Sequence, residues 1–234
     1  MKSKEEFVLD YFRKNPDEEF WNGYQFSEKI HRYHKRRDGA PYLVHPFDVD
    51  YTFLILGIKN PTDHAAGMCH DTVEESLEKD NKEITQEEIA KEVSLETARR
   101  VIKVTKPKGL DFVGLVDYYN EIGKEPCLVM LKMADKFVNL RRSMFGVFTS
   151  QKIGEASFET QYLLLPQSEK IISMAEADID FPGKEEYQKY ALPLRMLRSA
   201  IKGILRGADF SVSLTNQILQ LEKEKRELEE KIDH

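Results

Sequence analysis

The sequence predicts an all-α fold. Apolar residues recur at three- and four-residue spacing along nearly the whole chain. Capping residues, prolines and glycines mark where successive helices start and stop. One segment, Leu128 to Ala134, is apolar nearly all round, as a central buried helix would be. The chain has 234 residues, 41% of them hydrophobic, which suits one domain of ordinary size with an extension. Its 35 Lys and Arg stand against 41 Asp and Glu, a formal charge of −6. That balance argues against a general nucleic-acid or membrane-surface binder and leaves room for a local basic pocket.

Cys69 and Cys127 are too few for a disulfide framework and read as buried thiols in a reducing compartment. The N-terminus has no apolar signal core, and no run of 18 apolar residues occurs. No membrane span is therefore expected, and the cytoplasm is the default location.

In order along the chain, Phe7, Val8, Tyr11 and Phe12 mark a first short helix. Phe26, Ile30 and Tyr33 share one face of a second, expected to run to about Arg37 and to stop at the turn Asp38-Gly39-Ala40-Pro41. Pro46 suits a first helical position, before Val49, Phe53, Leu54 and Ile55. Asp63 is expected to cap a helix that carries Ala65, Ala66, Met68 and Cys69 to His70 and beyond. Residues 76–84 are polar and read as a loop. Thr85 and Glu88 have capping-box spacing ahead of Ile89 and Val93. A helix with Leu95, Ala98, Val101 and Ile102 stops before Pro107; another covers Leu115 to Ile122; Pro126 opens the central one. Residues 158–176 and 184–205 are again helical, with Pro193 expected to kink or delay the second. Leu214, Ile218, Leu221, Leu228 and Ile232 then keep a short heptad spacing, interrupted by Lys225.

Chemistry concentrates at His70-Asp71, an ionisable pair ending an apolar stretch, which needs a partner or a metal. His45 lies 25 residues earlier, and Asp135 follows the most apolar segment. Two imidazoles and two carboxylates suit Mn²⁺, Fe²⁺ or Zn²⁺ better than Ca²⁺. Taken singly, each also reads as something plainer: a packed or surface histidine, or a capping aspartate.

A family resemblance bears on that choice. The ordered blocks Arg36-Arg37-Asp38-Gly39-Ala40-Pro41-Tyr42-Leu43-Val44-His45-Pro46, His70-Asp71-Thr72-Val73-Glu74-Glu75, and Leu131-Lys132-Met133-Ala134-Asp135-Lys136-Phe137-Val138-Asn139-Leu140-Arg141 resemble the hydrolase domain of RelA/SpoT-type enzymes, members of the HD superfamily. The likeness spans roughly residues 24–165 and extends to Ile84–Ile89, Val104-Thr105-Lys106 and, more weakly, Glu159–Tyr162. It implies an HD-domain helical bundle and removal of the 3′-pyrophosphate from guanosine tetra- and pentaphosphate. It also implies one divalent metal ion, typically Mn²⁺, with Fe²⁺, Zn²⁺ or Mg²⁺ as other candidates.

By the resemblance, His45, His70, Asp71 and Asp135 are the metal ligands, and Glu74 and Glu75 the acidic pair acting on the attacking water. Arg36 and Arg37 grip the pyrophosphate, as guanidinium suits. Asn139, one turn past Asp135, and Tyr42 lie by the nucleotide, although Tyr42 reads equally well as core. Glu75 stands where the family usually has Asp, Arg37 where Lys is common, and Phe137-Val138 where Leu-His is usual. The ligand set shows no departure.

Two alternatives stay open. One is hydrolysis of another substrate on the same scaffold: a deoxynucleotide, a nucleoside monophosphate, a cyclic nucleotide or NADPH. The other is a non-catalytic metal- and nucleotide-binding signalling module. No synthetase motif is found. Residues 1–165 are expected to form the hydrolase domain and 166–234 a helical extension packing on it, ending in a coiled-coil-like helix over 211–233. Those heptads admit self-association and, equally, a terminal helix packed on its own domain. The expected partner is a nucleotide, with no nucleic acid and no membrane.

Overall fold

A computed structural model describes residues 2–142 and 158–207. Among these the helices are α1 (Lys4–Lys14), α2 (Glu18–His31), α3 (Val44–Ile55), α4 (Pro61–Cys69), α5 (Thr72–Lys79), α6 (Gln86–Glu92), α7 (Leu95–Val104), α8 (Phe112–Ile122) and α9 (Pro126–Arg142). A π-helical turn, Glu159–Leu164, leads into α10 (Leu165–Glu176), and α11 covers 184–207. No strand occurs among the described residues, where an isolated bridge, Lys35 with Pro41, pins a small loop. The all-α expectation is met. Among the described residues no helix is long and apolar enough to cross a membrane. The heptads over 211–233 lie outside the described residues.

Caps account for most boundaries. Ser3 with Glu6 and Thr85 with Glu88 form complete capping boxes on α1 and α6. Asp17, Asn60, Ser94 and Asp111 each accept backbone N–H groups at the starts of α2, α4, α7 and α8. Pro166 explains the π-helical turn. Its ring crowds the carbonyl four residues back and it donates no N–H, so the turn ahead of it widens.

Several boundaries differ from expectation. Helix α2 ends at His31, so Arg36 and Arg37 lie on a loop and Tyr33 is 87% exposed. That loop closes on itself: Arg36 donates its N–H to Ala40 O, Gly39 to Arg36 O, and Tyr42 to His34 O. Gly39 takes φ +84, which a side chain would oppose. These local bonds, together with Asp38 held by Arg142 of α9 at 2.6 Å, outcompete another turn of helix. Helix α3 starts two residues before Pro46, which still falls in the first turn, where no N–H is needed. Asn60, not Asp63, caps α4. Asp63 is buried among Arg100, Lys189 and Tyr190. Residues 76–79 belong to α5, and α11 passes through Pro193.

Helix α9 is the centre. Leu128, Met130, Met133 and Val138 pack with Val49 and Phe53 of α3, Ala66 of α4, Val104 of α7, Ile171 of α10, and Leu194, Leu197 and Ile201 of α11. Fully burying one such side chain contributes about 1.5–3 kcal/mol. The described part of 166–207 therefore shares the core of α9, and the 165/166 boundary falls where the π-helical turn passes into α10. Smaller cores join α2 to α6 and α7 through Phe26, Ile89 and Val101, and α1 to α3 and α4 through Phe12, Phe20, Phe47 and Met68. Both cysteines are free and buried.

Candidate metal centre

Four helices meet at one point. His45 sits in the first turn of α3, Asp135 in mid α9, and His70-Asp71 at the corner between α4 and α5. Asp135 thus lies within the central helix rather than after it. The corner forms because α4 stops at Cys69. Thr72 caps it by donating its hydroxyl to Cys69 O at 2.8 Å, and Asp71 takes φ −98, ψ −4 before α5 begins.

The four side chains converge. His45 Nε2 is 3.2 Å from His70 Nε2, 3.1 Å from Asp135 Oδ1 and 3.5 Å from Asp71 Oδ2. His70 Nε2 is 3.2 Å from Asp71 Oδ1 and 3.8 Å from Asp135 Oδ1. Atoms bound about 2.0–2.2 Å from one ion stand roughly 3 Å apart, which is this spacing. His70 Nδ1–H donates to Gly67 O at 2.7 Å, which turns Nε2 towards the cluster.

The electrostatics also call for a cation. Burial would press His70 down, but the Asp71 and Asp135 carboxylates outweigh it and push its pKa up to about 10. Burial would raise Asp71 and Asp135, yet His70 and His45 hold both well below the usual carboxylate range. Burial dominates at His45 and lowers it. His45, His70 and Asp135 meet the spacing of a metal group, and the donor chemistry fits a divalent ion.

No family model matches the chain. Over 165 residues, 66% of this chain, it is 27% identical to the guanosine-3′,5′-bis(diphosphate) 3′-pyrophosphohydrolase of Aquifex aeolicus. Over 124 residues, 50% of this chain, it is 30% identical to a GTP pyrophosphokinase of Streptomyces coelicolor. The chain spans 22% and 14% of the length of those two proteins. A solved structure, titled for a metazoan ortholog of SpoT that hydrolyses ppGpp, is similar at TM-score 0.54 and 19% identity, over 82% of this chain and 96% of that one. The fold is that of a SpoT-like hydrolase. The HD-type helical bundle expected from sequence agrees with it.

Around the centre of this SpoT-like fold, the other predicted residues fall into two groups. Asn139 donates to Asp135 Oδ1 at 2.6 Å and accepts from the Arg36 guanidinium at 3.0 Å. Arg36 is thereby linked to the centre through one side chain. Tyr42 is buried, and its hydroxyl donates to Asp71 Oδ2 at 2.7 Å, so it touches a ligand residue directly. Arg37 is exposed on the same loop as Arg36.

Glu74 and Glu75 diverge. Burial and the nearby Asp71 charge raise the Glu74 carboxyl, opposed in part by Lys132. Glu75 is held 2.8 Å from Lys79, which also lies 4.4 Å from the Tyr42 ring centroid and donates to Lys35 O.

Sequence reasoning missed three clusters. Lys106 and Lys136 share Glu159, at 2.9 and 3.6 Å, with the Tyr119 hydroxyl also donating to it at 2.9 Å. Asp50 and His64, both fully buried, face each other at 3.6 Å. His31, His34 and Asp80 form a chain beside Tyr42. Lys106 and Glu159 lay within segments that carry the resemblance. The other two clusters pair residues 14 and 46 apart, and no short motif announces them.

Proposed function

We propose that this chain is a metal-dependent pyrophosphohydrolase that removes the 3′-pyrophosphate of guanosine 3′,5′-bis(diphosphate) or its pentaphosphate relative. One observation carries the reading. A compact group of two imidazoles and the Asp135 carboxylate, with Asp71 3.5 Å from His45, is wired through Asn139 to an arginine on an adjacent loop. The names of the Aquifex aeolicus relative and of the metazoan SpoT structure point to the same chemistry in those proteins. Residues 1–165 carry the reaction, and the helices after 165 buttress α9.

His45, His70, Asp71 and Asp135 would hold one divalent ion, with Mn²⁺ the first candidate. When bound, such an ion makes a water more acidic and offsets phosphoryl charge. The protein's own groups do the rest. Glu74, whose carboxyl burial raises, accepts the proton of the attacking water. Glu75 anchors Lys79 and with it the wall beside Tyr42. Arg36 binds the departing pyrophosphate, a planar cation suiting bidentate phosphate contact. Its bond to Asn139 sets its reach, and Arg37 adds charge from the same loop. Asn139 steadies Asp135. The water attacks the 3′ phosphorus, the bond from that phosphorus to the ribose 3′ oxygen breaks, that oxygen takes up the proton accepted by Glu74, and pyrophosphate and the guanosine 5′-phosphorylated product leave.

Purified protein with Mn²⁺ and a nucleotide panel tests this. The expected result is inorganic pyrophosphate from guanosine 3′,5′-bis(diphosphate), lost in Asp71→Ala. Pyrophosphate-free turnover of deoxynucleotides, nucleoside monophosphates, cyclic nucleotides or NADPH would replace the substrate. Tight nucleotide binding without turnover would make the chain a signalling module.

A further inference from the structure

From the ring of Tyr42 outward runs a chain of three titratable residues that the proposed reaction does not use. The His31 imidazole stacks on that ring, with centroids 4.5 Å apart and an interplanar angle of 24°. His31 Nδ1 is 3.1 Å from His34 Nδ1, and His34 Nε2 is 2.8 Å from Asp80 Oδ2. His31 and His34 are buried, whereas the Asp80 side chain is 47% exposed.

The order of the bonds follows from donor chemistry. A carboxylate only accepts, so His34 Nε2–H donates to Asp80. In a neutral ring that leaves His34 Nδ1 to accept from His31 Nδ1–H. Burial keeps His31 neutral, its pKa pressed down to about 3. Each imidazole is thus fixed by the residue farther out, and the innermost ring is the surface on which Tyr42 lies. Tyr42 in turn points its hydroxyl at Asp71 Oδ2. The chain of contacts also ties together the end of α2, the loop bearing Arg36, and the end of α5.

We infer that Asp80, His34 and His31 are positioning residues, a brace that holds Tyr42 in place and through it sets the Asp71 carboxylate as a metal ligand. The inference rests on the metal reading of the site. Asp71 gains most from such help: it sits at the α4–α5 corner, and its side chain, 20% exposed, is the most open of the four donors. Partners that orient ligands in this way alter metal affinity about 10- to 100-fold.

The test is calorimetric titration of the metal-free full chain with Mn²⁺. Tyr42→Phe keeps the stacking and loses the bond to Asp71, and should weaken binding about tenfold. His34→Ala should weaken it about as much. Combined with Tyr42→Phe, it should add less than about twofold, because both act through one contact. His34→Gln, whose amide oxygen accepts and whose nitrogen donates, should stay within about twofold of the wild type. If His34→Ala does not fold, Asp80→Ala at the exposed end should give a loss of about threefold, again absent from the Tyr42→Phe background. Full additivity, unaltered affinity in folded His34→Ala, or a folded His34→Gln as weak as His34→Ala overturns the brace. A wild type that binds no divalent ion overturns the metal reading itself, which separates the two failures.

Discussion

Tyr190→Phe removes one of the two contacts, the other from Lys189, by which α11 is pinned to Asp63 of α4. The Tyr190 hydroxyl donates to both oxygens of Asp63, at 2.8 and 2.7 Å, and both residues are buried. Burial and the Asp63 charge raise the Tyr190 pKa, so the phenol keeps the proton it donates. Phenylalanine retains the ring among its core neighbours and removes one oxygen, so no sizeable cavity forms. What is lost is a hydrogen bond to a charged group, about 1.5–3 kcal/mol. Asp63 keeps Arg100, but buried in the core it has little access to water to replace the phenol. For a chain of this size, about 2 kcal/mol corresponds to a fall of roughly 4–8 °C in Tm. Urea unfolding should show a lower midpoint at unchanged slope. Mn²⁺ affinity should hold, since neither residue touches the metal donors. A loss below about 0.5 kcal/mol would refute the claim that this bond docks α11.

Glu74→Gln should lower kcat about 10²- to 10⁴-fold with Mn²⁺ affinity nearly unchanged, and Glu75→Gln should cost less; equal losses in steady-state assays would remove Glu74 from the proton-accepting role. Chelation should lower the melting temperature, and Mn²⁺ at 100 times its Kd should restore about 2.7 kcal/mol in a thermal melt; an unmoved melting curve would argue against the ion. Burial raises the Asp50 carboxyl to about 6, against the opposing pull of His64. The folded state therefore holds a proton there more tightly than the unfolded chain, and the associated stability, present at low pH, is lost as pH rises through about 6. Asp50→Asn should thus gain on the wild type by roughly 2 kcal/mol between pH 4 and 7, read as urea midpoints at each pH; a constant difference would contradict it.

Much of the centre was legible because ligand chemistry is local and typed. The pair His70-Asp71, the His45-Pro46 block and the Asp135–Asn139 spacing each declare a residue type at a fixed step. The all-α class was equally plain, since a 3.6-residue period needs no partner to be read. The missed features share another trait. The end of α2 at His31 depends on Arg142 and Ala40 meeting the loop, and the role of Asp63 depends on Tyr190, 127 residues away. Local propensity favours a longer α2 and an Asp63 cap; tertiary bonds decide otherwise.

By itself the amino-acid order determined which segments are helical, which helix is central, and which residues have the chemistry to bind a metal. Folding alone decided that α3, the α4–α5 corner and α9 bring four donors within a few ångströms, and that Tyr42 faces Asp71. It also separated Glu74, raised by its surroundings, from Glu75, held by Lys79. The physical reason is range. Periodicity and capping act over one or two turns, whereas convergence and charge environment arise between residues up to 90 positions apart, and exist only once α9 is packed at the centre.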